Sequence, residues 1–106
     1  AAEEFHGIKI IVQDDLMPSA IRELTKEKTI VISSSRKGKS GLITIACSED
    51  LSIDCSKIAK EIGKMLGGGG GKRTIAQAGG KVDRLEEAKK KAIEMVKKEL
   101  KELETD

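Results

Sequence analysis

Aromatic side chains are almost missing from this chain of 106 residues: Phe5 stands alone, with no Tyr and no Trp. The core must therefore be aliphatic. The same scarcity removes stacking platforms, and with them the RNA-recognition-motif and many OB-fold modes of pinning unpaired bases. Histidine is equally scarce. With His6 alone, beside Phe5 at the start of a strand, no Ser/His/Asp or Cys/His catalytic arrangement can be assembled, and His6 is read as structural or exposed rather than catalytic. Cys47 and Cys55 lie eight residues apart without a CxxC pattern, so neither a zinc site nor a disulfide framework has its spacing. Both read as buried free thiols, and no metal is expected. Asn is absent while Lys and Glu abound, a bias associated with proteins of hot environments. No apolar run has the length that crosses a bilayer, so no membrane partner is expected and a cytoplasmic location is. The chain starts at "AAEEFHG" without Met, which reads as a single domain, residues 1–106, excised from a larger protein.

Hydrophobic periodicity supplies the elements. "GIKIIVQ" (7–13) alternates like a strand buried mainly on one side, and is read as the first. The helical pattern that follows, with Asp15 as N-cap and Pro18 in the first turn, predicts about three turns presenting Met17, Ala20, Ile21 and Leu24. "TIVISSS" (29–35) and "GLITIAC" (41–47), joined by "RKGKS", read as an antiparallel hairpin. A strand, helix and strand at this spacing imply a parallel neighbour, and hence a mixed sheet. A second helix carries apolar residues at 55, 58, 59, 62, 65 and 66, with Ser52 or Asp54 as cap, and stops at Gly67. "TIAQA" suits a short strand. The last helix bears one stripe, Leu85, Ala88, Ala92, Val96, Leu100 and Leu103. Its end, Val96, Leu100 and Leu103, extends beyond what so small a sheet is expected to cover, which suggests a dimerisation surface. The fold class is α+β: a small mixed β-sheet with helices packed mainly on one face, a glycine-rich loop after the second helix, and a long C-terminal helix.

Charge is unevenly spread. Net charge is −2 over residues 1–32, +5 over 33–82 and −1 over 83–106. The basic middle holds Arg36, Lys37 and Lys39 in the hairpin loop and Lys72, Arg73 and Lys81 around a glycine cluster; Lys57, Lys60 and Lys64 on the second helix read as solvated side chains. If loop and cluster lay on one side they would grip a phosphate backbone.

The cluster itself, "MLGGGGGKRTIAQAGG", holds seven of the eleven glycines. Composition alone suits a flexible linker. A chain this short needs no spacer, however, and bare backbone also serves close approach to a ligand. The run is not a nucleotide-hydrolase phosphate loop, since Arg73 stands where GxxxxGK[ST] needs Ser or Thr, and the run follows a helix; a dinucleotide loop fails for the same reason. Residues 67–81 are therefore expected to form a rigid binding loop. In it Gly67, Gly68, Gly69, Gly70, Gly71, Gly79 and Gly80 bring backbone N–H groups to RNA, Lys72, Arg73 and Lys81 meet phosphates, and Gln77 offers an amide.

"GGGGGKRTIAQAGG", preceded by an amphipathic helix and a β-rich half, resembles the C-terminal domain of alanyl-tRNA synthetases, one of the DHH-associated nucleic-acid-binding domains, in an archaeal-like form. The resemblance runs from the first strand to the last helix. It implies a non-catalytic, cofactor-free module that holds the outer corner of alanine-accepting tRNA and in many members aids dimerisation. Aminoacylation with ATP and Mg²⁺, and editing, would lie elsewhere in the parent ligase. Two alternatives share this region: the accessory domain of a free-standing alanyl-tRNA editing hydrolase, and the single-stranded nucleic-acid-binding domain of a DHH-type phosphoesterase. Phosphoesterase relatives typically carry a GGGH pattern, where this chain has Lys72 and Arg73, which lowers that reading.

Overall fold

The computed structural model describes residues 2–104. Strands β1 (Ala2–Phe5) and β2 (Ile8–Val12) precede helix α1 (Pro18–Leu24) and the hairpin β3 (Thr29–Lys37) and β4 (Ser40–Cys47). Helix α2 (Cys55–Leu66), strands β5 (Gly67–Gly71) and β6 (Ile75–Lys81), a 3-10 turn (Val82–Arg84) and helix α3 (Leu85–Glu104) complete the order. The strands form one sheet ordered β1-β2-β3-β4-β6-β5. The pair β2/β3, bridged by α1, is parallel and the others are antiparallel, which makes the sheet mixed as the strand, helix, strand spacing requires.

Local details depart from the sequence expectations where backbone bonding overrides pattern. β1 has no apolar alternation to announce it; it forms because His6 and Gly7, both at positive φ, reverse the chain and pair Glu3 with Ile10. Asp15 does not cap α1. It sits at φ 58° in a turn and donates its N–H to the Ser34 carbonyl at 2.9 Å, so the helix starts later, after Met17, and has only seven residues. Met17, expected on the apolar face, is exposed. On α2 the cap is Asp54, whose carboxylate accepts the Ser56 N–H at 3.0 Å.

Helices α2 and α3 cover one face of the sheet. Ile10, Ile30, Ile32, Ile43 and Ile45 project onto that face and meet Ile58, Ala59 and Ile62 of α2 and the α3 stripe in one aliphatic core. The stripe is covered further than its length suggested: Val96 and Leu100 are buried, while Leu103 is 48% exposed. The opposite face is covered only where Ile21, Leu16 and Leu24 pack on Ile11, Val31 and Ala46. No helix among the described residues is long and apolar enough to cross a membrane.

The glycine run is a strand, not a loop. Residues 67–71 form an edge strand hydrogen-bonded to β6, and only residues 72–74 turn between them. Gly69 of β5 and Gly80 of β6 face α2 at backbone distance. A β-carbon on Gly69 would overlap the Ala59 carbonyl oxygen, and one on Gly80 the Leu66 carbonyl. From the helix side, a β-carbon on Gly63 would come within 2.5 Å of Gly68 and Gly69. Helix and strand therefore touch main chain to main chain, an approach that side chains forbid. Gly68 and Gly70 point the other way, into open space.

Arg73 is likewise structural. Its guanidinium donates to the carbonyls of Leu51, Ile53 (3.2 Å) and Glu49 (3.3 Å), while its own carbonyl accepts the Cys55 N–H at 2.8 Å. One residue thus ties the β5/β6 turn to the segment between β4 and α2.

Chemical denaturation should separate the glycines. Gly69→Ala and Gly80→Ala are expected to destabilise by about 1–3 kcal/mol or more through overpacking, whereas Gly68→Ala should stay within about 0.5 kcal/mol of the parent. Equal effects at 68 and 69 would contradict the close-approach account. By the same assay Arg73→Ala should cost about 1.5–3 kcal/mol, the range for hydrogen bonds involving a charged group, with Lys72→Ala within about 0.5 kcal/mol.

Candidate nucleic-acid interface

Because side chains alternate across a strand, the sheet face away from α2 and α3 follows from the register. Four rows cross it: Val31, Ala46 and Ile75; Ser33, Thr44, Gln77 and Gly70; Ser35, Leu42, Gly79 and Gly68; Lys37, Ser40 and Lys81. α1 is too short to reach β6, so the part on β4, β6 and β5 is uncovered. Leu42 is 37% and Ile75 41% exposed there. The Gln77 amide donates to Thr44 Oγ1 at 3.2 Å, holding both side chains flat along the sheet. Gly68, Gly70 and Gly79 supply floor with no side chain above it, apart from the Leu42 methyl that leans against Gly79.

The expected site residues are divided by this geometry. Lys37 and Lys81 come together in one row, two strands apart, or about 10 Å, with Lys39 beside them in the hairpin turn. Gly68, Gly70, Gly79 and Gln77 share their face. Gly67, Gly69, Gly71 and Gly80 belong to the helix-facing side of the sheet. Arg36 is also turned to the helix side, where it pairs with Glu86 at 3.0 Å. That carboxyl is held below its ordinary range by hydrogen bonds from Lys89 and then Arg36. Lys72 occupies the β5/β6 turn, about 20 Å along β6 from Lys81, so the two basic groups mark opposite ends of the face rather than one cluster. Arg73 is committed to carbonyls.

Of the residues suggested for dimerisation, Val96 and Leu100 lie in the chain's own core, which leaves Leu103 at the surface. The thiols of Cys47 and Cys55 are free and buried, and Cys55 is pushed well above the ordinary thiol range by its hydrogen bond with Cys47 and by burial. Among the described residues no three of His, Cys, Asp and Glu gather as a metal site.

Sequence reasoning missed Ser35, Leu42, Thr44 and Ile75. The signal was present in the alternation of residues 40–46 and 75–81, but only strand order shows that no helix covers them. The four strands β3, β4, β5 and β6 contain no Asp or Glu at all, while Arg36, Lys37 and Lys81 stand on them. Among the described residues every Asp and Glu lies outside these four strands.

Residues 8–101 match the DHHA1 domain model. An alanine–tRNA ligase of Caldicellulosiruptor saccharolyticus is 37% identical over 87 residues, covering 77% of this chain and 10% of that protein. One of Fervidobacterium nodosum is 32% identical over 92% of this chain and 13% of its own length. The chain thus spans about a tenth of the curated relatives it matches. The crystal structure of the C-Ala domain from Aquifex aeolicus alanyl-tRNA synthetase superposes with a TM-score of 0.67 at 29% identity, covering 94% of this chain and 97% of that one. A carboxylate-free sheet face floored by glycine backbone therefore sits on a known framework: the chain belongs to the DHHA1 domain family, in the form found as the C-terminal domain of alanyl-tRNA synthetase.

Proposed function

We propose that the chain is a tRNA-binding module and that the uncovered face of β4, β6 and β5 is the surface that meets the RNA. The observation that carries this is the exclusion of carboxylates from the four strands, with Lys37, Lys39 and Lys81 gathered at the hairpin end. Without aromatic side chains the face cannot stack bases on rings. It suits a folded RNA, whose phosphates and riboses can approach the flat backbone at Gly68, Gly70 and Gly79 while the lysines neutralise charge. Lys72 adds a cation at the far end.

The parent protein is an alanine–tRNA ligase of the cytoplasm in this reading, and the RNA is its alanine-accepting tRNA. Aminoacylation, with ATP and Mg²⁺, belongs to other parts of that protein. This segment holds the substrate. Pairing of two copies would have to begin at Leu103, because Val96 and Leu100 already fill the core.

The test is tRNA binding across a salt series. Replacing Lys37 and Lys81 by Ala should weaken binding about equally for different tRNAs and lower the salt slope by about one to two phosphate equivalents. Replacing Lys57 and Lys60, which lie on the exposed side of α2, should change neither. Equal losses from both pairs, or tighter binding to single-stranded DNA than to folded tRNA, would remove this assignment.

A further inference from the structure

At the end of the uncovered face near the β5/β6 turn, α1 and the start of β6 diverge. Between them lies an open cleft of about 430 Å³, within the range of small-ligand sites. Its floor is aliphatic: Ile21 and Ala46 are nearly buried, and Ile75 is 41% exposed above them. Arg22 on α1 stands on one wall and Glu49, just past β4, is part of the lining as well. Neither side chain has a hydrogen bond or an ion pair among the described residues, although both line one cleft. Lys26 also borders it, with its charge paired to Glu23 at 3.1 Å. The cleft thus offers an unpaired cation, an unpaired carboxylate and an apolar surface between.

We propose that this cleft takes one unpaired nucleotide whose base carries an amino group. The occupant is chosen by complementarity. Its phosphate meets the planar guanidinium of Arg22, its base covers Ile75, and its amino edge donates to the Glu49 carboxylate, as cytosine N4 does to acidic side chains elsewhere. Uracil is disfavoured because it places the O4 acceptor where cytosine has N4–H₂, which sets oxygen against carboxylate. The proposal rests on the reading of the face as an RNA surface, since the Ala46 and Ile75 row continues into the rows of Thr44, Gln77, Leu42 and Gly79. It adds a single-nucleotide preference to a surface otherwise held by phosphates.

Titration of the protein with CMP and with UMP, followed through the methyl resonances of Ile21, Ala46 and Ile75, tests it. CMP should shift all three and bind several-fold tighter than UMP. Arg22→Ala should weaken both nucleotides, and Glu49→Gln, whose amide can either donate or accept, should erase the difference between them. Both substitutions change exposed side chains that support no other group. Unmoved methyls at the highest soluble CMP concentration, equal affinity for CMP and UMP, or a preference that survives Glu49→Gln would each overturn the proposal. Failure here with tRNA binding still sensitive to Lys37 and Lys81 would leave the larger surface intact. A CMP-selective cleft on a protein that ignores tRNA would instead remove the surface and keep the cleft.

Discussion

The contact on which the rest of this fold depends is the one between α2 and the glycine strand β5. Two elements that normally stand about 10 Å apart, separated by side chains, here touch through main-chain atoms at Gly63 and Gly69, and Gly80 of β6 meets the Leu66 carbonyl in the same way. The consequence is positional. Because α2 runs directly into β5, the strand is folded back under the helix from which it starts, and β6 can pair between β5 and β4. Side chains at Gly69 or Gly80 would push β5 off the sheet. The stack that carries Gln77, Gly79 and Lys81 exists because those positions are bare.

A second constraint is electrostatic segregation. The ion pairs that join distant parts of the chain lie on the helix side: Arg36 with Glu86, Lys89 with Asp14, and Lys97 with Glu3. Lys89 is the least exposed of these cations, and it also hydrogen-bonds the Ser34 hydroxyl. Exposed pairs contribute little individually to stability. Their effect is to hold Glu86, Asp14 and Glu3 on the helix side, away from the face on which Lys37 and Lys81 stand. Loop geometry follows the same economy. Three carbonyls between β4 and α2 that lack partners in a sheet or helix are satisfied together by Arg73.

Much of the architecture was legible in the sequence because burial on one face imposes a period. The alternation in residues 7–13, 29–35 and 41–47 and the 3.6-residue stripes of α2 and α3 each identified an element correctly. β1 was not legible, since its four residues show no apolar alternation and it is held by a turn at His6 and Gly7. The length of α1 was not legible either, because Asp15, a good N-cap by residue type, is claimed by a hydrogen bond to Ser34, far away in sequence.

By itself the sequence determined the type of every element with an apolar period, the mixed sheet, the aliphatic core and the family, all of which depend on local spacing or on a contiguous motif. Only tertiary structure decided what the glycines and the basic residues do. "GGGGG" has no side-chain pattern, so nothing in it tells a loop from a strand; the choice was made by α2 and β6 on either side. Arg36 and Lys37 are adjacent and chemically alike, yet strand alternation sends one to Glu86 and the other to the open face. Lys72 and Arg73 are adjacent too, and a turn leaves the first in solvent while the second binds three carbonyls. Residue type specifies what a group can bond to, whereas the availability of that bond depends on which distant backbone the fold brings within reach.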